Sequence, residues 1–478
     1  MPPSPAYRPS TRHAELGEGF FDVVAPAPFP AHVLRHRNGR WAARVGLDAL
    51  TDEEWIAHFG RFEPLPGSFA EPLALRYHGH QFRAYNPDLG DGRGFLFAQL
   101  HDLRDGRLLD LGTKGSGKTP WSRGADGRLT LKGGVREVLA TEMLEALGVE
   151  TSKSFSLVET GEALMRGDEP SPTRSAVLVR LSHSHVRIGS FQRFAFLKDE
   201  GRLRRLLDYT IQTYLPEAWR EDEAARAPAF LETVCRRVAR MGAQWTAAGF
   251  VHGVLNTDNI NVTGESFDYG PWRFLPTYDP DFTAAYFDHG GLYAFGRQPE
   301  ALVWNLARLG GCLLPLAERS ALEAAMDAFE SSLHREFGAA VLRRLGLSPR
   351  GEAEDAALVR ALFVFLRESQ APFERVFFDW RGGAASEARA ARSPAAEHYA
   401  SPAFAPVRAA MEGFAPAPDA RLDHPYFARP APCTMLVDEV EAIWAPIAEA
   451  DDWSAFRAKL DDIAEMAGAY GTAPAPPP

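Results

Sequence analysis

A chain of 478 residues exceeds the size at which one hydrophobic core usually keeps growing, so two or three lobes are expected. Hydrophobic residues at 45% and charged residues at 24% exclude global disorder, and a net charge of −11 argues against a general affinity for nucleic acid or an anionic membrane surface. Three scattered cysteines, Cys235, Cys312 and Cys433, exclude a disulfide framework and read as core residues; no run of about 18 apolar residues and no signal-peptide pattern occurs, so the cytoplasm is the expected location.

Residues 1–74 are rich in Pro and aromatics (FFDVVAPAPFP, RFEPLPGSF) and hold one short helical pattern, TDEEWIAHFG, which Thr51 can cap. They read as a wrapping extension. From Tyr77 the character changes: a Gly-rich turn over Gly90–Gly94 leads into an alternating strand candidate, Phe95–His101, and after the Asp105-Gly106 turn comes a second, RLLDLGTK. Gly133 and Gly134 then precede an apolar stripe of Val135, Val138, Leu139, Met143, Leu144 and Leu147, which predicts a helix ended by Gly148. SKSFSLVET and RSAVLVRLS are further strand candidates, so residues 75–200 form a small lobe of mixed β plus helix.

Beyond about residue 200 the pattern turns helical (RLRRLLDYTIQTYL, FLETVCRRVARMGAQWTAAGF, RQPEALVWNLARLGGCLLPL), giving a mainly helical lobe over 201–382. Residues 383–432 are loose in composition, helical patterns return in TMLVDEVEAIWAPI and DDWSAFRAKLDDIAEMAG, and TAPAPPP reads as a disordered tail, together a C-terminal extension over 383–478. The fold class is α+β.

The densest chemistry lies in residues 251–272, VHGVLNTDNINVTGESFDYGPW. His252-Gly253, an Asn seven positions after the His, and an Asp-aromatic-Gly soon afterwards imitate the catalytic loop and metal-binding turn of kinase-like phosphotransferases. Val254 stands where the pattern H-x-D-x-x-x-x-N has its Asp, and a valine cannot accept a proton. Asp258, immediately before Asn259, is the available carboxylate. Asn259 and Asp268 offer hard oxygen ligands for Mg²⁺ or Mn²⁺, with the remaining oxygens supplied by nucleotide phosphates and water. Asp279 and Asp281 in YDPDF read as turn residues.

Elsewhere, GTKGSGKT (Gly112–Thr119) satisfies the phosphate-loop pattern letter for letter, but Pro120, Gly124 and Gly127 leave no helix after it, which that loop requires. Gly90-Asp91-Gly92-Arg93 can bring backbone amides and a guanidinium to a phosphate, or be a plain glycine turn. Lys114 at the end of a strand is a candidate phosphate ligand, with Glu137 or Glu142 as its ion-pair partner. Asp126-Gly127-Arg128 is a second tight turn. Arg180 and Arg187 suit polyphosphate, while His183-x-His185 lacks the further ligands a metal site needs.

Taken together, YHGHQF, LGDGR, KGSGKTPWSRGADGR, GGVREVLATEMLEALGVETSKSFSLV, VRLSHSHVRIGSF, HGVLNTDNINVTGESFDYGP and YAFGRQPEALVWNLARL resemble the selenoprotein O (SelO, YdiU) family of protein adenylyltransferases, over roughly residues 75–310. The resemblance implies a two-lobed protein-kinase-like fold that binds ATP inverted, so that AMP passes to a Ser, Thr or Tyr hydroxyl of a protein and pyrophosphate leaves, with Mg²⁺ or Mn²⁺ and with UTP as a further donor. It implies nucleotide contacts by Gly90, Gly92, Arg93, Lys114, Asp126, Gly127, Arg180 and Arg187, Asp258 as proton acceptor, and Asn259 and Asp268 as metal ligands. Protein substrates and nucleotide are the partners, no nucleic acid and no membrane, and the chain is expected to be a monomer. Departures are Arg83 in place of a family Gly, Asp88 in place of a Gln, a poorly matching C-terminal third, and no cysteine after Cys433. The rival readings are a catalytically silent nucleotide-binding scaffold, a kinase transferring the γ-phosphate, and a small-molecule phosphotransferase.

Overall fold

A computed structural model describes residues 4–472. The chain opens with β1 (Pro9–Ser10), β2 (Phe21–Val23) and β3 (Val33–Arg37), three short strands that the sequence pattern does not announce. At two to five residues they are too short to show an alternation, and pairing with distant strands creates them. Asn38 caps α1 (Gly39–Arg44), and Thr51 with Glu54 builds the capping box of α2 (Asp52–Phe59), where the sequence places its one early helix. β4 (Leu73–Leu75) is followed by a separate hairpin, β5 (Gly79–Gln81) and β6 (Ala84–Asn86).

β7 (Leu96–His101) and β8 (Leu108–Lys114) fall on either side of the Asp105-Gly106 turn as expected. After β9 (Leu129–Thr130), helix α3 (Leu131–Ala146) starts ahead of Gly133 and Gly134 because the Thr130 side chain accepts a hydrogen bond from the Gly133 amide. β10 (Lys153–Leu164) and β11 (Thr173–Ser182) complete a nine-stranded antiparallel sheet of order β2-β4-β7-β8-β11-β10-β3, with β1 on β7 and β9 on β11. The apolar stripe of α3, including Val135, Val138 and Leu139, packs into the same core as Leu157 of β10 and Leu178 of β11. The fold is α+β.

The remainder is mainly helical. α4 (Ile188–Phe196), α5 (Glu200–Tyr214) and the 26-residue α6 (Glu223–Ala248) lead into a two-stranded ladder, β12 (Phe250–His252) and β13 (Trp272–Phe274). Its register, Phe250 opposite Phe274 and His252 opposite Trp272, closes the base of the loop that holds Asp258 and Asp268. α7 (Gln298–Leu313) follows and fixes this ladder, since Gln298 accepts from the His252 amide and donates to the Phe250 carbonyl.

The region from 383 to 432 is more ordered than its composition suggests. Short turns of helix, such as Ala396–Ala400 and Ala405–Met411, pack around the buried rings of Trp380, Tyr399 and Phe404. Tertiary aromatic packing, not local propensity, holds them. The last helix, Ser454–Tyr470, returns to α3, where Thr472 donates to the Ala146 carbonyl. The rest of the TAPAPPP tail, residues 473–478, lies outside the described residues. All three cysteines are buried and outside any disulfide, and among the described residues no helix is long and apolar enough to cross a membrane.

Candidate active site

A cavity of about 560 Å³ opens between the sheet and the loop closed by β12 and β13. Antiparallel pairing sets its charged floor. Lys114 ends β8, and Arg180 on β11 stands opposite Gly112, so both cations reach the same edge. Lys114 Nζ donates to Glu137 Oε2 (2.6 Å) and meets Asp268 Oδ1 (2.9 Å), while Arg180 Nη1 donates to Glu137 Oε1 (3.3 Å) and Asp268 Oδ1 (3.1 Å). Two cations and two carboxylates thus form a closed ring. Glu137 is the partner of Lys114; Glu142 is engaged elsewhere, by Arg40 and Asn38.

Asp268 is held in place by its neighbours. Its backbone lies in the left-handed region at φ +57°, a conformation that costs a non-glycine residue about 1–2 kcal/mol. The buried His252 ring sets the approach, meeting the Phe267 carbonyl through Nε2 and accepting from the Val254 amide through Nδ1. Burial holds this imidazole below its ordinary pKa, so it acts as a neutral strut. Burial alone would raise the Asp268 pKa, yet Lys114, Arg180 and Arg187 hold that carboxyl well below the usual range. Both close cation contacts fall on Oδ1, which leaves Oδ2 without a protein partner among the described residues.

Asp258 shares the cavity under opposite conditions. It sits in a single 3-10 turn, Thr257–Asn259, buried at 8% exposure, and its Oδ1 has no hydrogen-bond partner among the described residues. Burial pushes its pKa up to about 6 against the opposing pull of Arg187. The β5–β6 hairpin is strapped across it: Asn256 Oδ1 accepts from the Phe82 amide (3.1 Å) and Thr257 Oγ1 from the His80 amide (2.7 Å). A Cβ at Gly79 would stand 3.0 Å from Asp258 Oδ1, so a larger residue there would press on the carboxylate.

Of the residues singled out in the sequence, Gly90, Gly92, Arg93, Lys114, Asp126, Gly127, Arg180, Arg187, Asp258 and Asp268 line this one cavity. Asn259 does not. Its Nδ2 donates to the Val254 carbonyl (3.0 Å), which orients the amide and leaves its oxygen free of protein donors among the described residues. Asp126 lines the rim with its carboxylate gripped by Arg166 at 2.7 and 3.2 Å. Gly90 and Gly127 are needed for close packing: a Cβ would drive into the Trp121 indole at the first and the Gly117 backbone at the second, where φ is also +71°. The chain after Gly112–Thr119 forms turns and no helix, so the phosphate-loop pattern has no structural counterpart. His183 and His185 are buried, and among the described residues no three His, Cys, Asp or Glu side chains gather as a metal site. Arg83 lies outside the cavity, in a left-handed conformation at φ +64° that favours glycine, with its guanidinium on Glu300 (3.0 Å).

Four contributors were not assigned from sequence. Asp91 accepts from Arg187 Nη2 (3.1 Å) and from the Leu75 amide (3.1 Å), tying the glycine turn to the cation. Phe267 carries both guanidinium groups on its ring, Arg180 at 4.5 Å and Arg187 at 5.0 Å. Thr119 and Ser122 donate to the Asp91 and Gly92 carbonyls, clamping one turn on the other. The central Asp of G-D-G was a readable signal; the other contacts depend on chain crossings that spacing does not encode.

The donor chemistry of the loop suits a divalent cation: the Asp268 carboxylate and the Asn259 amide oxygen are hard oxygen donors, and two protein oxygens would leave most of an octahedral shell to nucleotide oxygens and water.

The family model described as protein adenylyltransferase SelO matches residues 6–464. The chain belongs to the SelO family. Relatives named protein nucleotidyltransferase YdiU include one from Gloeobacter violaceus, 47% identical over 462 residues that cover 93% of this chain and 92% of the relative. Another, from Synechocystis, is 52% identical over 337 residues, 70% of this chain and 69% of the relative; one from Vibrio vulnificus is 38% identical over 367 residues, 77% and 73%. The SelO match extends through the C-terminal third as far as residue 464. The chain is thus an enzyme of the nucleotidyltransferase class.

Proposed function

We propose that this chain transfers AMP from ATP to Ser, Thr or Tyr hydroxyls of other proteins, using Mg²⁺ or Mn²⁺, and transfers UMP from UTP when Mn²⁺ is present. In this reading residues 75–200 are the nucleotide-binding lobe and 201–382 the helical lobe of a two-lobed kinase-like fold, with extensions over 1–74 and 383–478. The chain acts as a cytoplasmic monomer. The observation that carries the reading is the pair of opposed carboxylates in one cavity: Asp268, kept ionised by Lys114 and Arg180, and Asp258, buried with a free Oδ1.

The acceptor's hydroxyl oxygen attacks the α-phosphorus, the bond from that phosphorus to the bridging oxygen breaks, and pyrophosphate leaves. Asp258 takes the hydroxyl proton on Oδ1. Lys114, Arg180 and Arg187 offset charge on the phosphates, and the Phe267 ring and Asp91 keep the guanidinium groups in position before the nucleotide arrives. When bound at Asp268 and Asn259, a divalent cation would neutralise further phosphate charge. Val254 offers no carboxylate at the usual kinase position, which counts against γ-phosphoryl transfer.

Incubating the chain with ATP, Mg²⁺ and a cell extract, then searching Ser, Thr and Tyr peptides by mass spectrometry, tests the proposal. AMP adducts that vanish with Asp258→Ala are expected. Phosphate adducts alone would point to an ordinary kinase, and nucleotide binding without any adduct to a silent scaffold.

A further inference from the structure

A second cavity of about 560 Å³ lies across the β5–β6 hairpin from the first. Strand β5 is the wall between them. Gln81 lines the first cavity and Gly79 abuts Asp258, while His80 lines the second, as the two-residue alternation of a strand requires. The wall is fixed by a closed set of hydrogen bonds: Gln192 of α4 meets His80 Nδ1 through Nε2 (2.7 Å) and accepts from Thr257 Oγ1 (2.6 Å), and Thr257 Oγ1 accepts from the His80 amide (2.7 Å). The space is therefore preformed.

Its lining is largely apolar; of its charged members Arg319 and Glu323 pair with each other at 3.7 Å, which leaves Arg308 as the unneutralised charge. Tyr85 and Phe196 stack at 5.3 Å on one side, and Leu322 and Met326 of the helix Arg319–Met326 also line the space. Phe196 is 54% exposed, so a large aromatic surface stands open to the cavity mouth. Arg308 of α7 lies over the Trp304 ring at 5.1 Å and, among the described residues, pairs with no carboxylate, although the chain carries a net charge of −11. Gly310 and Gly311 add no side chains of their own to the lining. Burial pushes the Cys312 thiol up to about 12, so this cysteine has no thiolate with which to capture a ligand covalently.

We infer that this second cavity reversibly binds a small organic anion with a compact aromatic or apolar body, the body resting on Tyr85, Phe196 and Met326 and the acidic group on Arg308. Concave, mostly apolar spaces of this size with a few convergent polar groups are the common form of small-molecule sites. The placement behind the Asp258 loop separates the ligand from the nucleotide.

Two fluorescent probes test this on the full chain: anilinonaphthalene sulfonate, and phenylnaphthylamine, which has the same aromatic body without the charge. Both are titrated with a non-hydrolysable ATP analogue and Mg²⁺ in excess. The anion is expected to bind saturably, at one site, about tenfold more tightly than the neutral probe. Arg308→Met should abolish that preference. Gly311→Phe, at a position where an added Cβ meets nothing within 4 Å, should fill the cavity and weaken both probes about tenfold. Because Arg308→Met changes one exposed side chain and keeps an apolar body against Trp304, it remains informative should the Phe variant fold poorly. No saturable binding, variants that titrate like the parent chain, or displacement of the probe by the nucleotide analogue would each overturn the inference.

Discussion

Asp258 and Asp268 line one cavity but are held in opposite states, the first with a buried, unpartnered oxygen and the second bridged by Lys114 and Arg180. Two carboxylates whose surroundings push their proton affinities apart divide the work of a site: one can take a proton while the other stays a fixed negative charge.

Loss of either carboxylate separates these roles. Asp268→Ala should abolish metal-dependent nucleotide binding, read by equilibrium titration with a fluorescent ATP analogue. Asp258→Ala should leave that binding within a few-fold and slow transfer by about 10²–10⁴. Equal loss of binding in both variants would mean that Asp258 is not the proton acceptor.

The unpartnered charge should be visible in stability. Burial raises the Asp258 pKa from an ordinary 3.8 to about 6, so its favourable contribution is complete below 3.8 and is lost as pH rises through 6. Above that, ionised Asp258 opposes folding. Asp258→Asn should therefore stabilise the nucleotide-free chain at pH 8 by on the order of 1–3 kcal/mol, read as a raised thermal midpoint, and leave the midpoint nearly unchanged at pH 4. Equal midpoints at both pH values would show that the carboxylate is not desolvated.

Glu137→Gln should leave Lys114 and Arg180 with Asp268 as their one carboxylate, destabilising the fold by about 1–3 kcal/mol and weakening nucleotide binding more than tenfold. Glu142→Gln touches only Arg40 and Asn38, away from the cavity, and should leave nucleotide affinity within twofold. Chemical denaturation and nucleotide titration of the pair discriminate the two glutamates.

Thr257→Val removes the bond from the His80 amide and that to Gln192, so the β5–β6 hairpin should open more readily by about 1–2 kcal/mol. Hydrogen exchange at residues 79–86 should accelerate accordingly, with exchange in β8 unchanged.

Much of this arrangement was readable. The long alternating strands β8, β10 and β11 and the capped helices α2 and α3 carry their own signals, and the Asp258 to Asp268 stretch is dense enough in oxygen donors to stand out. Strands β1 to β4 were hidden, because runs of two to five residues are too short to show a pattern and gain their form only from partners tens of residues away. Spacing left Glu137 and Glu142 equivalent; the turn of α3 that faces β8 decides between them. Asp91 looked like turn chemistry until Arg187 arrived from the other side of the fold. Composition also understated the order of residues 383–432, where a few aromatics do the packing.

The central claim concerns which phosphate is attacked. Parallel incubations with ATP labelled at the α-phosphate and at the γ-phosphate, with Mg²⁺ and an acceptor protein, distinguish the outcomes by where label is retained on protein. Retention from the α position alone, abolished by Asp258→Ala, is the predicted result. Retention from the γ position alone would contradict it.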